Sequence, residues 1–269
     1  MIGGRSSHDA GLAGARPSIY SLEKNPVIRI NKAVILAAGR GTRMRELTSD
    51  LPKPMIEVRG KPVLQHIVEG LQHAGIRECL LIVGYRADAV QNFFGNGSRY
   101  NVGIQYATQK VQDGTGRVVD LGRDFVGNSP FILSYGDILV DPANYKPVAN
   151  LPGNIEAIVT VTRGEDVSKG GAVFVNDRME LLDIREKSDR WSGSPRRDAV
   201  PFYNAGLYAF RPSIFEFTAK LQPSPRGEYE LTDAIRDLAQ SGKKVKAVEL
   251  TGEWADVRDP EILAKLNQV

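Results

Sequence analysis

The sequence predicts an α/β protein on a doubly wound, mostly parallel (Rossmann-like) mixed sheet, with a smaller β-rich lid in its second half. Three observations lead there. Continuously apolar runs at residues 33–36, 79–83 and 130–135 read as strands buried on both faces. Helical patterns alternate with these runs in units of about 25–30 residues. Glycine closes most units, at Gly75, Gly84 and Gly136.

In order, residues 33–36 form the first strand, and a glycine-rich basic loop follows. Pro62 opens a helical pattern, with Val63, Ile67, Val68 and Leu71 on one face and Gly75 as its stop. Residues 79–83 form the second strand, 87–94 a short helix and 103–107 the third strand. A helix is expected over 118–125, then the fourth strand over 130–135, ending in Gly136-Asp137. Past residue 140 the rhythm changes. Residues 155–162 alternate as a strand, and 172–175 with 181–184 suggest a hairpin turning at Asn176-Asp177. Residues 188–199 read as a polar, Arg-rich loop and 203–210 as a strand. A helix starts at Pro212, 231–240 is amphipathic, 245–250 is a strand, 254–257 a short segment and 260–266 a closing helix.

Composition narrows the function classes. The chain has 269 residues, 42% hydrophobic and 25% charged, which suits one large domain. Net charge is +3, and residues 1–30 supply +2 of it from four Arg/Lys and two Asp/Glu. The remainder is almost neutral, which argues against a nucleic-acid face. The one cysteine, Cys79, rules out an internal disulfide and a Cys-based zinc site, and reads as a buried, inert thiol. No run of 18 apolar residues exists, so no membrane span or membrane partner is expected. Residues 1–30 read as a flexible extension without the apolar segment of a secretory signal, which makes the cytoplasm the default compartment. Residues 31–269 then form the functional domain, in two halves at 31–140 and 141–269.

The most informative stretch is residues 36–54, LAAGRGTRMRELTSDLPKP. Gly39 and Gly41 let the backbone take positive φ and lie against a ligand. Backbone N–H groups there, with Arg40, Arg43, Arg45 and Lys53, suit an anion of several phosphates. Two common phosphate loops fail here. The dinucleotide fingerprint needs a third glycine where Met44 stands, which disfavours hydride transfer, and no Gly-Lys-Ser/Thr occurs. What remains is G-x-G-T-R followed by Lys53 within Pro52-Lys53-Pro54. This resembles the sugar-1-phosphate nucleotidylyltransferases, in particular the glucose-1-phosphate uridylyl- and thymidylyltransferases. The resemblance implies that Leu36, Ala38, Gly39, Gly41, Thr42 and Arg43 meet the nucleotide.

Asp137 ends an apolar strand, where a carboxylate either caps a following helix or binds a cation. A second acid, Asp256, follows Trp254. Two acids near a phosphate loop suit Mg²⁺, which takes one or two carboxylates and shares phosphate oxygens. In the resembled family the "GD" and "W-x-D" aspartates hold the metal, and Asp137 and Asp256 match them. Val257-Arg258-Asp259 departs from the usual x-G-T that follows.

Gln109 precedes Gly114-Thr115 by five positions, and its amide suits the edge of a pyrimidine. The resemblance implies that Gln109, Gly114 and Thr115 read uracil, while Arg117-Val118-Val119 departs from the usual small residues. This favours UTP, with dTTP, GTP and CTP as alternatives. Gly171, Glu186, Lys187 and Asn204 match the family's sugar and sugar-phosphate contacts, with Ser188 in place of a proline. Taken without the resemblance, Glu186-Lys187 is a solvated pair and Asn204 a strand-entry turn. Thr232 and Asp233 read either as part of the family's acidic helix entry or as simple helix-start residues.

The implied reaction is in-line attack of a sugar 1-phosphate on the α-phosphorus of a nucleoside triphosphate, with Arg43 on the pyrophosphate, Lys53 at the α-phosphate and Lys187 on the sugar phosphate. Its partners are those two substrates, and a homo-oligomer is compatible with it. The alternative is a regulatory protein that holds a nucleotide sugar without making one.

Overall fold

A computed structural model of the chain describes residues 26–41, 44, 51–186 and 201–268. Strand β1 (Val27–Arg29) precedes β2 (Lys32–Ala37), the sheet's central strand. A two-strand hairpin, β3 (Glu57–Val58) with β4 (Lys61–Pro62), leads into α1 (Val63–Ala74). Gly75 stops α1 with φ +106°, as the sequence predicts. Then come β5 (Glu78–Val83), α2 (Ala87–Phe94) and β6 (Gly103–Thr108). Strands β2, β5 and β6 run parallel, and β7 (Phe131–Tyr135) joins the other edge of β2, also parallel.

The continuous apolar runs have a direct cause. Alternate residues of β2 serve two cores: Ala33 and Ile35 face α1, while Val34 faces the opposite layer with Leu80 and Leu133. A strand covered on both faces favours apolar side chains along its whole length.

The helix expected over 118–125 tightens midway. It consists of α3 (Thr115–Val119), a 3₁₀ turn over Asp120–Gly122 and α4 (Arg123–Val126). Gly122 lies so close to β2 that a Cβ there would sit 3.0 Å from Val34.

The second half extends the same sheet. After β8 (Ile138–Val140), α5 (Tyr145–Val148) and β9 (Asn150–Pro152) comes β10 (Ala157–Thr162). The hairpin β11 (Ala172–Val175) and β12 (Leu181–Arg185) forms as expected. Strand β13 (Phe202–Phe210) organises this half. It pairs antiparallel with β10 along one edge, and with β11 then β7 along the other. Helices α6 (Ile214–Thr218) and α7 (Leu231–Gln240), strands β14 (Val245–Glu249) and β15 (Trp254–Asp256), and α8 (Pro260–Leu266) complete the chain. The result is a mixed nine-stranded sheet whose first-half strands are all parallel. The loop expected at 188–199 lies outside the described residues.

Strand β1 corrects the boundary of the N-terminal extension, expected to run through residue 30. Val27–Arg29 pair antiparallel with β9, and Ile30 is buried in the core. Cys79 is fully buried, and burial pushes its thiol up to about 12, consistent with an inert side chain.

Gly206 stands where β13 passes from β11 to β7. It has φ +80°, and a Cβ there would sit 2.8 Å from the Tyr135 ring. Gly206→Ala is expected to destabilise the fold by about 1–3 kcal/mol, combining backbone strain with ring displacement. Chemical denaturation checks this, and an unchanged midpoint would contradict it.

Candidate active site

The strand order places the site. From β2 the chain adds β5 and β6 on one side, then crosses to β7 on the other. Between the carboxyl ends of β2 and β7 the connections diverge, which leaves a crevice at a topological switch point. The Gly39 loop leaves β2 there, and Asp137 leaves β7. Gly136 N–H donates to the Leu36 carbonyl at 3.0 Å, which holds the two exits together.

The cleft at this point has a volume of about 520 Å³. Leu36, Ala38, Gly39 and Gly41 line it, and Gly41 has the positive φ, +69°, that the loop reading requires. Lys53 opens a 3₁₀ turn over Lys53–Met55, and its N–H reaches back to the Gly39 carbonyl at 3.3 Å. Its ammonium donates to Asp137 and lies 3.4 Å from Asp256. The two acids meet because β15 pairs with β8, and Val257 N–H donates to the Asp137 carbonyl at 2.9 Å. No helix follows Asp137, so the helix-cap alternative falls away. Met44, which breaks the dinucleotide fingerprint, is buried in the core. Thr42, Arg43 and Lys187 lie outside the described residues, while Arg40 stacks over the Tyr85 ring.

At one end of the cleft lie Gln109, Gly114 and Thr115. The Gln109 amide N–H donates to the Val111 carbonyl of its own loop at 2.9 Å. Gln112, which the sequence reading passed over, also lines the cleft and donates to the Ala38 carbonyl at 3.3 Å. Gly114 has φ +111°, and a Cβ there would run into the Tyr229 backbone.

At the other end lie Gly171, Glu186 and Asn204. Asn204 sits inside β13, not in an entry turn. Its N–H donates to the Gly171 carbonyl at 2.9 Å, and its side-chain oxygen accepts from Tyr208 at 2.9 Å. Glu186 takes a hydrogen bond from Thr232 at 3.4 Å and lies 3.8 Å from Arg226. Thr232 is therefore more than a helix-start residue, whereas Asp233 pairs with Arg236 on its own helix. Arg226, Glu230, Tyr203 and Arg258 also line the cleft. Tyr203, Glu230 and Arg258 flank residues that the sequence motifs mark, whereas Arg226 stands outside any motif and carries no pattern.

The family model described as nucleotidyl transferase matches residues 32–268. The chain belongs to this family. It is 33% identical over 240 residues to the low-salt glycan biosynthesis nucleotidyltransferase Agl11 of Haloferax volcanii, covering 88% of this chain and 65% of that relative. It is also 33% identical over 234 residues to the UTP–glucose-1-phosphate uridylyltransferase AglF of the same organism, covering 86% and 92%. The chain spans about half the length of several other curated relatives. A crystal structure of a UDP-glucose pyrophosphorylase with UDP-glucose shares the fold, with a TM-score of 0.75, 24% identity and coverage of 89% and 97%. Among the described residues no helix is long and apolar enough to cross a membrane.

The electrostatics fit a nucleotidyl transferase family site that takes a divalent cation. Burial works against the Lys53 ammonium, yet the charges of Asp137 and Asp256 outweigh it and raise its pKa. Burial first, and then the charge of Asp137, hold Asp256 above the usual carboxylate range despite Lys53 and Arg258. No cluster of three or more metal-ligating side chains occurs among the described residues. Two carboxylates suffice for a hard ion that draws its other ligands from phosphate and water.

A folded pKa above the unfolded one means that ionised Asp256 opposes folding at neutral pH, and that this cost is relieved as pH falls through the raised value. Asp256→Asn is therefore expected to raise Tm in metal-free buffer at pH 7. Thermal unfolding with chelator present tests this, and a lowered Tm would refute the electrostatic account.

Proposed function

We propose that this chain transfers a nucleotidyl group from a nucleoside triphosphate, UTP favoured, to a sugar 1-phosphate. A phosphate oxygen of the sugar 1-phosphate attacks the α-phosphorus. The bond from that phosphorus to the bridging oxygen breaks, and pyrophosphate leaves with the electron pair. The observation that carries this reading is the meeting of Lys53, Asp137 and Asp256 at the mouth of the glycine loop. Membership of the nucleotidyl transferase family and the likeness to AglF support it.

The attacking oxygen is already anionic, so no protein nucleophile or general base is required. The work of the chain is to align two polyanions and offset their charge. Asp137 and Asp256 would hold a divalent cation, Mg²⁺ in this proposal, which when bound supplies charge neutralisation between the two phosphates. Lys53 sits where it can turn from the carboxylates to the α-phosphate. Arg43 is assigned to the departing pyrophosphate and Lys187 to the sugar phosphate. Gln109, Gly114 and Thr115 take the base, and Gly171, Glu186 and Asn204 take the sugar.

Pyrophosphate release, measured across UTP, dTTP, GTP and CTP against glucose-, galactose-, mannose- and N-acetylhexosamine 1-phosphates, tests the reaction. Turnover is expected with at least one pair, fastest with UTP. Arg43→Ala is expected to lower turnover by ~10²–10³-fold. No pyrophosphate from any pair would leave the binding-protein alternative in its place.

A further inference from the structure

We infer that Arg258 is a substrate-binding residue, whose guanidinium receives the phosphate of the sugar 1-phosphate beside Asp256; this rests on the transfer reading above. The main chain delivers it to that point. Val257 is buried and bonded to the Asp137 carbonyl, so the next side chain emerges from the same strand end as the acid pair. Arg258 lines the cleft with its side chain only 14% exposed.

Its bonding is unusual for so enclosed a cation. Nη1 lies 3.3 Å from the Tyr203 hydroxyl and 3.7 Å from Asp256 Oδ2, Nη2 lies 3.4 Å from Glu165, and Nε lies 4.0 Å from Asp259. Every contact is long. Arg59, which ties two segments of the fold together, holds its carboxylate partner Glu253 more closely, at 2.9 Å. The donors that Tyr203 and Glu165 hold at these lengths are open to competition from a phosphate, which accepts a planar fork bidentately.

Place then selects the anion. The Tyr203 hydroxyl, which Arg258 touches, abuts Gly170 so closely that no Cβ fits there. Gly171 follows at the end of the cleft assigned to the sugar. Arg258 therefore stands between the acid pair and the sugar end, where the sugar 1-phosphate oxygen must approach. The triphosphate tail belongs to the Gly39 loop on the other wall.

The competing role is a strut that only orients Asp256, and the two separate by which ligand is affected. Titration calorimetry of the full chain with inorganic phosphate and each of the four hexose 1-phosphates reads binding without turnover. Arg258→Ala is expected to weaken the bound hexose 1-phosphate by about 10–100-fold. KM for that substrate should rise alongside, with KM for the triphosphate unchanged. Arg258→Lys, which keeps charge but not the fork, should recover part of the affinity. The inference is overturned if Arg258→Ala binds hexose 1-phosphate as the wild type does, if the loss falls on the triphosphate or the metal requirement instead, if the wild type binds no sugar phosphate, or if neither variant folds. Arg258-dependent binding without pyrophosphate release from any pair would sink the transfer reading and leave this one standing.

Discussion

The rest of the molecule is arranged around a concentration of charge: one buried ammonium shared by two carboxylates that come from residues 84 and 203 positions away. Nothing local brings these groups together. Asp137 and Asp256 oppose each other, and burial makes the opposition worse, which is why Asp256 stays above its ordinary range even with Lys53 and Arg258 beside it. The arrangement persists because main-chain bonds and packing hold the segments in place. Strand β15 pairs with β8, and the Trp254 ring nitrogen donates to the Ala205 carbonyl at 2.9 Å while its ring packs 5.4 Å from that of Tyr203. Arg59 clamps Glu253 and reaches the Leu266 carbonyl, tying the segment after Lys53 to the one before Asp256. Under the proposed function, a cation and a polyanion would use the acids that this framework encloses.

Legibility in the sequence followed how local the cause was. Strands β2, β5 and β7 were readable because burial on two faces leaves an unbroken apolar run, and α1 and α8 because Gly75 and Pro260 mark their ends. The expected helix over 118–125 is helical throughout, and only its tightening to a 3₁₀ turn at Asp120–Gly122 escapes helical spacing. Strands β1, β9 and β15 are three residues each. Pairing, not pattern, makes them strands, so β1 was absorbed into the extension. The site divides in the same way. Gly41, Lys53 and Asp137 belong to compact motifs and meet as expected, whereas Gln112, Arg226 and Tyr203 reach the cleft only through tertiary structure.

The two ends of the cleft are mechanically joined, which bears on how such a site discriminates. Tyr229 N–H donates to the Asp113 carbonyl and Gly116 N–H to the Tyr229 carbonyl, both at 2.7 Å. Arg117 lies 3.8 Å above the Tyr229 ring. The loop carrying Gly114 and Thr115 is thereby stitched to the segment carrying Arg226, Glu228 and Glu230. Arg226 in turn holds Glu230 at 2.8 Å and approaches Glu186. A displacement of the loop carrying Gly114 and Thr115 would therefore be felt at Glu230 and Glu186 through these contacts. The residues after Gly116 that depart from the family pattern are the ones in this joint: Arg117 stacks on Tyr229, and Val118 is buried beneath the loop. Their departure thus has a packing cause. It weakens any reading of base preference from those positions alone.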